Sequence, residues 1–380
     1  MKHLKFTLLL ALVLIAFAGS LRAEFLYVSY GKGLLSFSIN RDTGAITELQ
    51  GTPTVFAEGT GPLTLDRTGK LLYLSTGGSE FVYGAYSAIH GYRIAGNGHL
   101  IPLPGSPYQV TGGNLAVDPF NRFLYALNSP GYPNTGTVAV YRIEPNGSLS
   151  TVPGPPFPTG VDSSSIAVDP FGRFIYISNF DSKTVSVYSV LGNGTLLPVP
   201  GSPFYTGKYS LSIVAESTGR FIYVASDLEV SISAYQVAAN GVLTQAPGSP
   251  TLIGTPWCQT LGYNPVGGYL YLLIGISESS SFHINPVTGL PDPLQGISVG
   301  NYFDNNPVGV CVSPNGKFVY EGNANGVVDP GPMTLRGFKV GPTGLLTLVG
   351  GSPYYPLGDS LDPVELPAEE GWPSSMVVAP

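Results

Sequence analysis

The chain has 380 residues and a formal net charge of −7, with 17 lysines and arginines, 43% hydrophobic residues and only 11% charged ones. Charged residues make up roughly 25% of an average soluble protein. With so few cations and no basic stripe, nucleic acid is not an indicated partner. Fifty glycines and 35 prolines among plentiful aromatic and β-branched residues read as many short strands joined by tight turns, not as disorder.

Residues 1–23 read as a secretory signal peptide. Lys2 and Lys5 precede an apolar stretch from Phe6 to Ala18, and small residues stand at Ala16, Ala18 and Ala23. Cleavage after Ala18 fits the small-x-small rule better than cleavage after Ala23. The stretch is shorter than the ~20 residues a membrane span needs. The expectation is therefore an exported protein, periplasmic or extracellular, with no span once the leader is removed.

From residue 24 to Pro380 one unit recurs seven times. A tyrosine in the context Gly-Arg-Phe-Ile-Tyr stands at Tyr27, Tyr73, Tyr125, Tyr176, Tyr223, Tyr271 and Tyr320, at spacings of 46, 52, 51, 47, 48 and 49. A second aromatic follows each time (Phe37, Tyr92, Tyr141, Tyr188, Tyr235, Phe282, Phe338), and then a turn ending in glycine (Gly44, Gly98, Gly147, Gly194, Gly241, Gly289, Gly344). A repeat near 50 residues means a propeller or solenoid array. Within the unit around Tyr176, Ser164–Val168 reads as an inner strand, Asp169–Gly172 as a tight turn, and Phe174–Ser178 and Thr184–Val190 as the next two strands. Asn193-Gly194 reads as a type I′ hairpin, with positive φ at both residues. Leu196–Val199 is the outer strand, stopped by Pro200-Gly201-Ser202-Pro203.

The fold class expected is all-β: a single seven-bladed propeller of four-stranded antiparallel blades. Residues 374–380 match the inner strand of the Tyr176 unit, and Phe25–Val28 supply a second strand with no inner one. The two ends should therefore share a blade and seal the ring. Cys258 and Cys311 fall on neighbouring inner strands about four residues out of phase, or ~13 Å at strand rise, which is too far for a disulfide. Two buried free thiols are expected.

Function should sit on the rim carrying the longer, variable connections, including Gly77–Ala88, Glu321–Met333 and Tyr354–Pro373. Strand ends place Asn128, Asn179, Ser164, Gln259, Asn306 and Asn323 at its axial mouth as candidate substrate-binding residues. Tyr30, Thr76, Asn114, Ser212 and Ser226 stand beside them. Acidic residues, among them Asp162, Asp181 and Asp227, collect on the same rim without a spaced Asp-x-Asp loop, so no metal is assigned, and no motif calls for a cofactor. His90, His99 and His283 stand away from the mouth. Rim aromatics such as Tyr132, Tyr302, Phe303, Tyr354 and Tyr355 offer contact surface.

The Asp-Pro-x-Gly-Arg-Phe-Ile-Tyr unit ending at Tyr176, the Val-Ser-Val-Tyr of Val185–Tyr188 and the Asn-Gly-x-Leu turn at Asn193 together resemble the lactonase family of seven-bladed propellers. That family includes bacterial 6-phosphogluconolactonase and is related to fungal muconate lactonizing enzyme. The resemblance spans Phe25 to Pro380. It implies a hydrolase opening a lactone at the axial mouth, with Asp227 matching the family's acid as catalytic base. The family's Gly-Pro-Arg-His run aligns with Tyr209-Ser210-Leu211-Ser212, its His-Ser pair with Ser164-Ser165, and its Pro-Arg-Gly with Pro307-Val308-Gly309. The basic side chains are therefore replaced. The alternative is a non-enzymatic propeller that binds a protein, glycan or small ligand through its variable rim. Either way a monomer is expected.

Overall fold

The computed structural model describes residues 23–30, 32–78, 88–110, 113–129, 133–154, 156–207, 209–226, 229–253, 258–274, 278–294, 297–298, 305–325, 334–355 and 373–380. The leader and most of the three long connections named above lie outside them. Seven antiparallel sheets form the ring. The fourth blade runs from Ser163–Val168 at the axis through Phe174–Asn179 and Thr184–Val190 to Leu196–Pro198 at the perimeter, within a residue of the boundaries read from sequence. The inner strands of blades two, three, five, six and seven are Gly59–Leu65, Leu115–Val117, Ser210–Ala215, Cys258–Asn264 and Asn305–Val312. Among the described residues no helix is long and apolar enough to cross a membrane.

The first blade is built from both ends. Ile46–Glu48, Gly33–Ile39 and Glu24–Tyr30 come from the start of the chain, and Pro373–Ala379 is the inner strand. The register pairs Tyr27 with Val377 and Val28 with Met376. No open array edge is left to template aggregation. Cys311 pairs across from Tyr320, whereas Gly262, four residues after Cys258, pairs with Tyr271; the offset read from sequence is therefore real. Cys311 is a free thiol, and burial pushes its pKa up. The side chain of Cys258 lies outside the described set.

Among the described residues six blades carry a short fifth segment that the sequence pattern did not separate. In blades two, four and five the chain turns through Gly-Ser-Pro after the outer strand and pairs with the other half of the third strand, as Phe204–Tyr205 does with Thr184 and Val185. The serine closes the gap between the two pairings. Ser202 Oγ accepts the Val187 N–H at 2.9 Å, and Ser106, Ser249 and Ser352 do the same for Gly91, Ala234 and Gly337. A ladder N–H that would otherwise be stranded is satisfied.

The tyrosine and glycine markers meet between blades. Tyr27 Oη donates to the Gly98 carbonyl at 2.7 Å, Tyr73 to Gly147 at 2.7 Å, Tyr223 to Gly289 at 3.0 Å and Tyr320 to Gly44 at 2.9 Å. Each phenol reaches the hairpin of the following blade, and the last closes the circle. The hydroxyls of Tyr125, Tyr176 and Tyr271 are buried without such a bond. The glycines cannot be replaced cheaply: Gly289 has φ +73, and a Cβ there would stand 2.3 Å from the Phe221 ring.

The hairpins differ from the type I′ expectation. Of Asn193 and Gly194 only the glycine has positive φ, at 93°. Gly194 N–H bonds Leu191 O at 2.9 Å and Leu191 N–H bonds Thr195 O at 2.9 Å. This is a three-residue loop with a left-handed glycine at its end, and Asn193 Oδ1 accepts the Thr195 N–H at 3.0 Å. The asparagine contributes its side chain, not its backbone.

On the rim with the short turns, the Asp-Pro-x-x-Arg motif forms a second ring of contacts. Asp118 and Asp169 hold Arg122 and Arg173 at 2.6 and 2.8 Å, and each guanidinium continues to the next blade's turn, at Gly172 O and Gly219 O. Asn315 Nδ2 donates to the buried Glu24 carboxylate at 2.9 Å, joining blade seven to blade one.

Two outcomes follow in urea unfolding of the full chain. Tyr223→Phe should lose about 1 kcal/mol, the net worth of one buried hydrogen bond, and Gly289→Ala should lose more because it adds strain and overlap. Deleting the eight residues 373–380 should abolish the single cooperative transition. Retention of one sharp transition at the parent midpoint would contradict the sealing role of that strand.

Candidate functional site

At the opposite rim, inner-strand starts and second-strand ends converge on the axis, as the repeat requires. Many of the polar side chains read as ligand-binding candidates bond to the protein instead. Asn179 is 0% exposed. Its Oδ1 accepts from Gly160 N–H at 3.0 Å and Ser163 Oγ at 2.9 Å, and its Nδ2 donates to Thr184 Oγ1 at 2.9 Å and Ser186 Oγ at 3.0 Å. Both amide atoms are therefore committed to the fold.

Ser164 is half-buried and links blades. Its hydroxyl donates to Ser210 O at 2.8 Å, and its carbonyl accepts Asn114 Nδ2 at 2.6 Å. Ser75 Oγ to Gly113 O at 2.8 Å, Leu261 N–H to Ser212 Oγ at 3.2 Å and Ser375 Oγ to Leu63 O at 3.4 Å continue the same girdle. Asn128 is half-buried at the end of its strand. Gln259, Asn306 and Asn323 lie on the expected strands, but their side chains are outside the described set, and Asp227 lies outside the described residues altogether.

Of the acidic rim residues, Asp162 and Asp181 are described, and they fall together. Asp162 stands in the connection that leaves Phe157–Val161 and enters the fourth inner strand. Its backbone is left-handed (φ 54°), its carbonyl accepts the Phe180 N–H at 2.8 Å, and Ser129 Oγ donates to its Oδ1 at 3.4 Å. Burial raises its pKa above the ordinary 3.8, the nearby Asp181 charge raises it further, and the Ser129 hydrogen bond partly offsets both.

Beside this pair, Phe180 and Tyr209 lie 5.1 Å apart at 48°, and Lys183 Nζ sits 4.1 Å over the Tyr209 ring. The patch thus draws on blades three, four and five: a carboxylic acid with raised pKa, a second carboxylate, an ammonium group and two half-buried rings. Such a pair of carboxyl groups can move a proton, and the rings offer a face for an apolar or sugar-like surface. Spacing alone did not single Asp162 out from the other rim acids. Alignment of blades four and five could have, since Tyr209 takes its place one repeat later.

The histidines do not complete this site. His90 packs edge-on against Phe56 at 4.9 Å and burial lowers its pKa, while His283 packs against Tyr269 at 5.5 Å. Both belong to third strands, away from the axis. At the positions that the resemblance aligns with the family's basic residues, Leu211 and Ser212 stand in blade five, where Ser212 Oγ accepts the Leu261 N–H, and Ser164 is a strut between blades.

The ring of seven sheets defines the class, a seven-bladed β-propeller with a polar, partly acidic mouth on its variable rim. Residues 87–202, from the third strand of blade two to the end of blade four, match the family model described as Lactonase, 7-bladed beta-propeller. No curated protein matches the chain. Among solved structures, a candidate 6-phosphogluconolactonase of Bacteroides fragilis is 16% identical over 96% of this chain and 99% of its own, with TM-score 0.70. The periplasmic gluconolactonase of Pseudomonas aeruginosa is 19% identical over 87% and 97%, with TM-score 0.67. A candidate 6-phosphogluconolactonase of Bacteroides uniformis is 18% identical over 88% and 96%, with TM-score 0.68. The chain resembles the lactonase propellers; at these identities the structural likeness is one of fold.

The Asp162 assignment has a pH signature. A carboxyl whose pKa is higher in the folded than in the unfolded chain costs stability once pH rises through that folded value. Below the ordinary carboxylate range it is protonated in both states and costs nothing. Asp162→Asn, which keeps a side chain tolerant of left-handed backbone, should therefore raise the melting temperature at neutral pH, with the gain fading below about pH 4. Thermal melts of both proteins across pH 3–8 test this, and a gain independent of pH would exclude the electrostatic cause.

Proposed function

We propose that this is an exported, monomeric, lactonase-like propeller that hydrolyses an unphosphorylated lactone on the mouth-side rim, near the junction of blades three, four and five. The carboxyl pair Asp162 and Asp181 at the entrance to the fourth inner strand carries the reading. Lactone opening needs a base to activate water, and a carboxylate with a raised pKa is a stronger base than an ordinary aspartate. Asp227, the acid marked by the family resemblance, is the second candidate base.

The attacked carbonyl becomes an oxyanion that needs donors, and Lys183 supplies positive charge on the same patch. A phosphorylated sugar lactone would need basic groups of its own to hold the phosphate. Leu211, Ser212, Ser164 and Val308 stand where the family's basic residues would, so a neutral lactone fits better. The apolar leader in residues 1–23 supports export, as does the fold shared with a periplasmic gluconolactonase.

Purified mature protein should open unphosphorylated sugar lactones faster than their phosphorylated counterparts. Asp162→Asn should lower kcat by 10²–10⁴, the usual worth of general-base catalysis; Asp227→Asn is the paired test of the other acid. A panel with no rate above background would sink the enzymatic reading. The girdle that engages Asn114, Ser164 and Asn179 favours the second reading, a propeller that binds a glycan, protein or small ligand with its rim, and glycan arrays or pull-downs with an Asp162→Asn, Lys183→Ala control would then show specific capture.

A further inference from the structure

Blades four and five repeat with an unbroken offset of 47 residues from Thr159–Ser186 to Thr206–Ser233. In blade four Asn179 fills a buried polar cluster made with Gly160, Ser163, Thr184 and Ser186, beside a Thr159–Ser163 hydroxyl contact of 2.6 Å. In blade five Thr206 and Ser210 make the corresponding contact at 3.0 Å. The backbone is left-handed at corresponding points, Lys183 at φ 54° and Val230 at φ 49°, although Gly207 is left-handed (φ 73°) where Gly160 is not. The frame is kept, but Ser226 stands where Asn179 would.

Serine is roughly two heavy atoms shorter than asparagine and reaches fewer partners. Ser226 is 1% exposed and Ser231 0% exposed, and neither hydroxyl has a protein partner. Glu229 Oε2, in the same connection, is likewise buried without one. Ser233, the counterpart of Ser186, is 1% exposed and faces the Tyr235 phenol. Buried hydroxyls are rarely left unbonded in native proteins, and an internal water is the usual partner where the chain supplies none.

We propose that blade five holds an internal hydration site, in which one water molecule takes the position of the Asn179 amide and bonds Ser226 Oγ and Ser231 Oγ. A water's share of liquid volume is about 30 Å³, comparable to the heavy atoms lost between asparagine and serine. This assignment is independent of the catalytic reading.

A high-resolution crystal structure of the full mature chain tests it directly. The expected result is an ordered water within hydrogen-bond distance of both hydroxyls, absent in Ser226→Asn, where the new amide takes its place and the melting temperature rises by a few degrees. Density showing the two hydroxyls bonded to each other or to protein carbonyls, with no water between them, would overturn the proposal. So would a Ser226→Asn protein that keeps the water. If Ser226→Asn does not fold, the parent structure alone decides.

Discussion

The molecule depends on hydrogen bonds that pass from one blade to the next. Buried phenols on second strands donate to glycine carbonyls in the hairpins of the following blades, as Tyr223 does to Gly289. That demand explains why the tyrosine and the glycine recur in step, and why the turn cannot carry a side chain where the Phe221 ring stands against it. It also explains why the ring must close: Tyr320 reaches across the chain ends to Gly44, in the blade that Val28 and Met376 complete. A buried donor without its acceptor costs more than the bond itself returns, so at Tyr27, Tyr73, Tyr223 and Tyr320 a blade specifies its neighbour.

The same logic consumes the polar atoms around the axis. A propeller exposes inner-strand ends to water, which makes polar residues there look like a binding site. In this chain Asn114, Ser164, Ser212 and Ser375 join neighbouring inner strands, and Asn179 fills a cavity within its own blade. Chemistry is left to side chains on the connections, which the ring positions but does not use.

The fold was legible because its markers are periodic and each has one physical meaning. The strand boundaries of the Tyr176 unit, the shared first blade and the phase of the two cysteines could all be read before any coordinates. The returning fifth segments were not, because a two-residue strand after Gly-Ser-Pro carries no alternation. The hairpin type was missed because Asn-Gly fits two turn classes, and only the Leu191–Thr195 pairing separates them. The site was less legible: nothing in a sequence distinguishes an asparagine bonded on all sides, such as Asn179, from one facing a ligand.

Backbone strain separates the fold's needs from the site's. Lys183 is left-handed, but so is Val230 at the same point of blade five, although a β-branched side chain strongly disfavours that conformation. The strain there therefore belongs to the connection itself. Asp162 is also left-handed, at φ 54°. That conformation is uncommon for any residue but glycine. It accompanies a carboxyl group half-withdrawn from water, braced by Ser129 and set against Asp181. Local strain of this kind is what functional positions retain, and in this ring the neighbouring blades are bonded firmly enough to hold it.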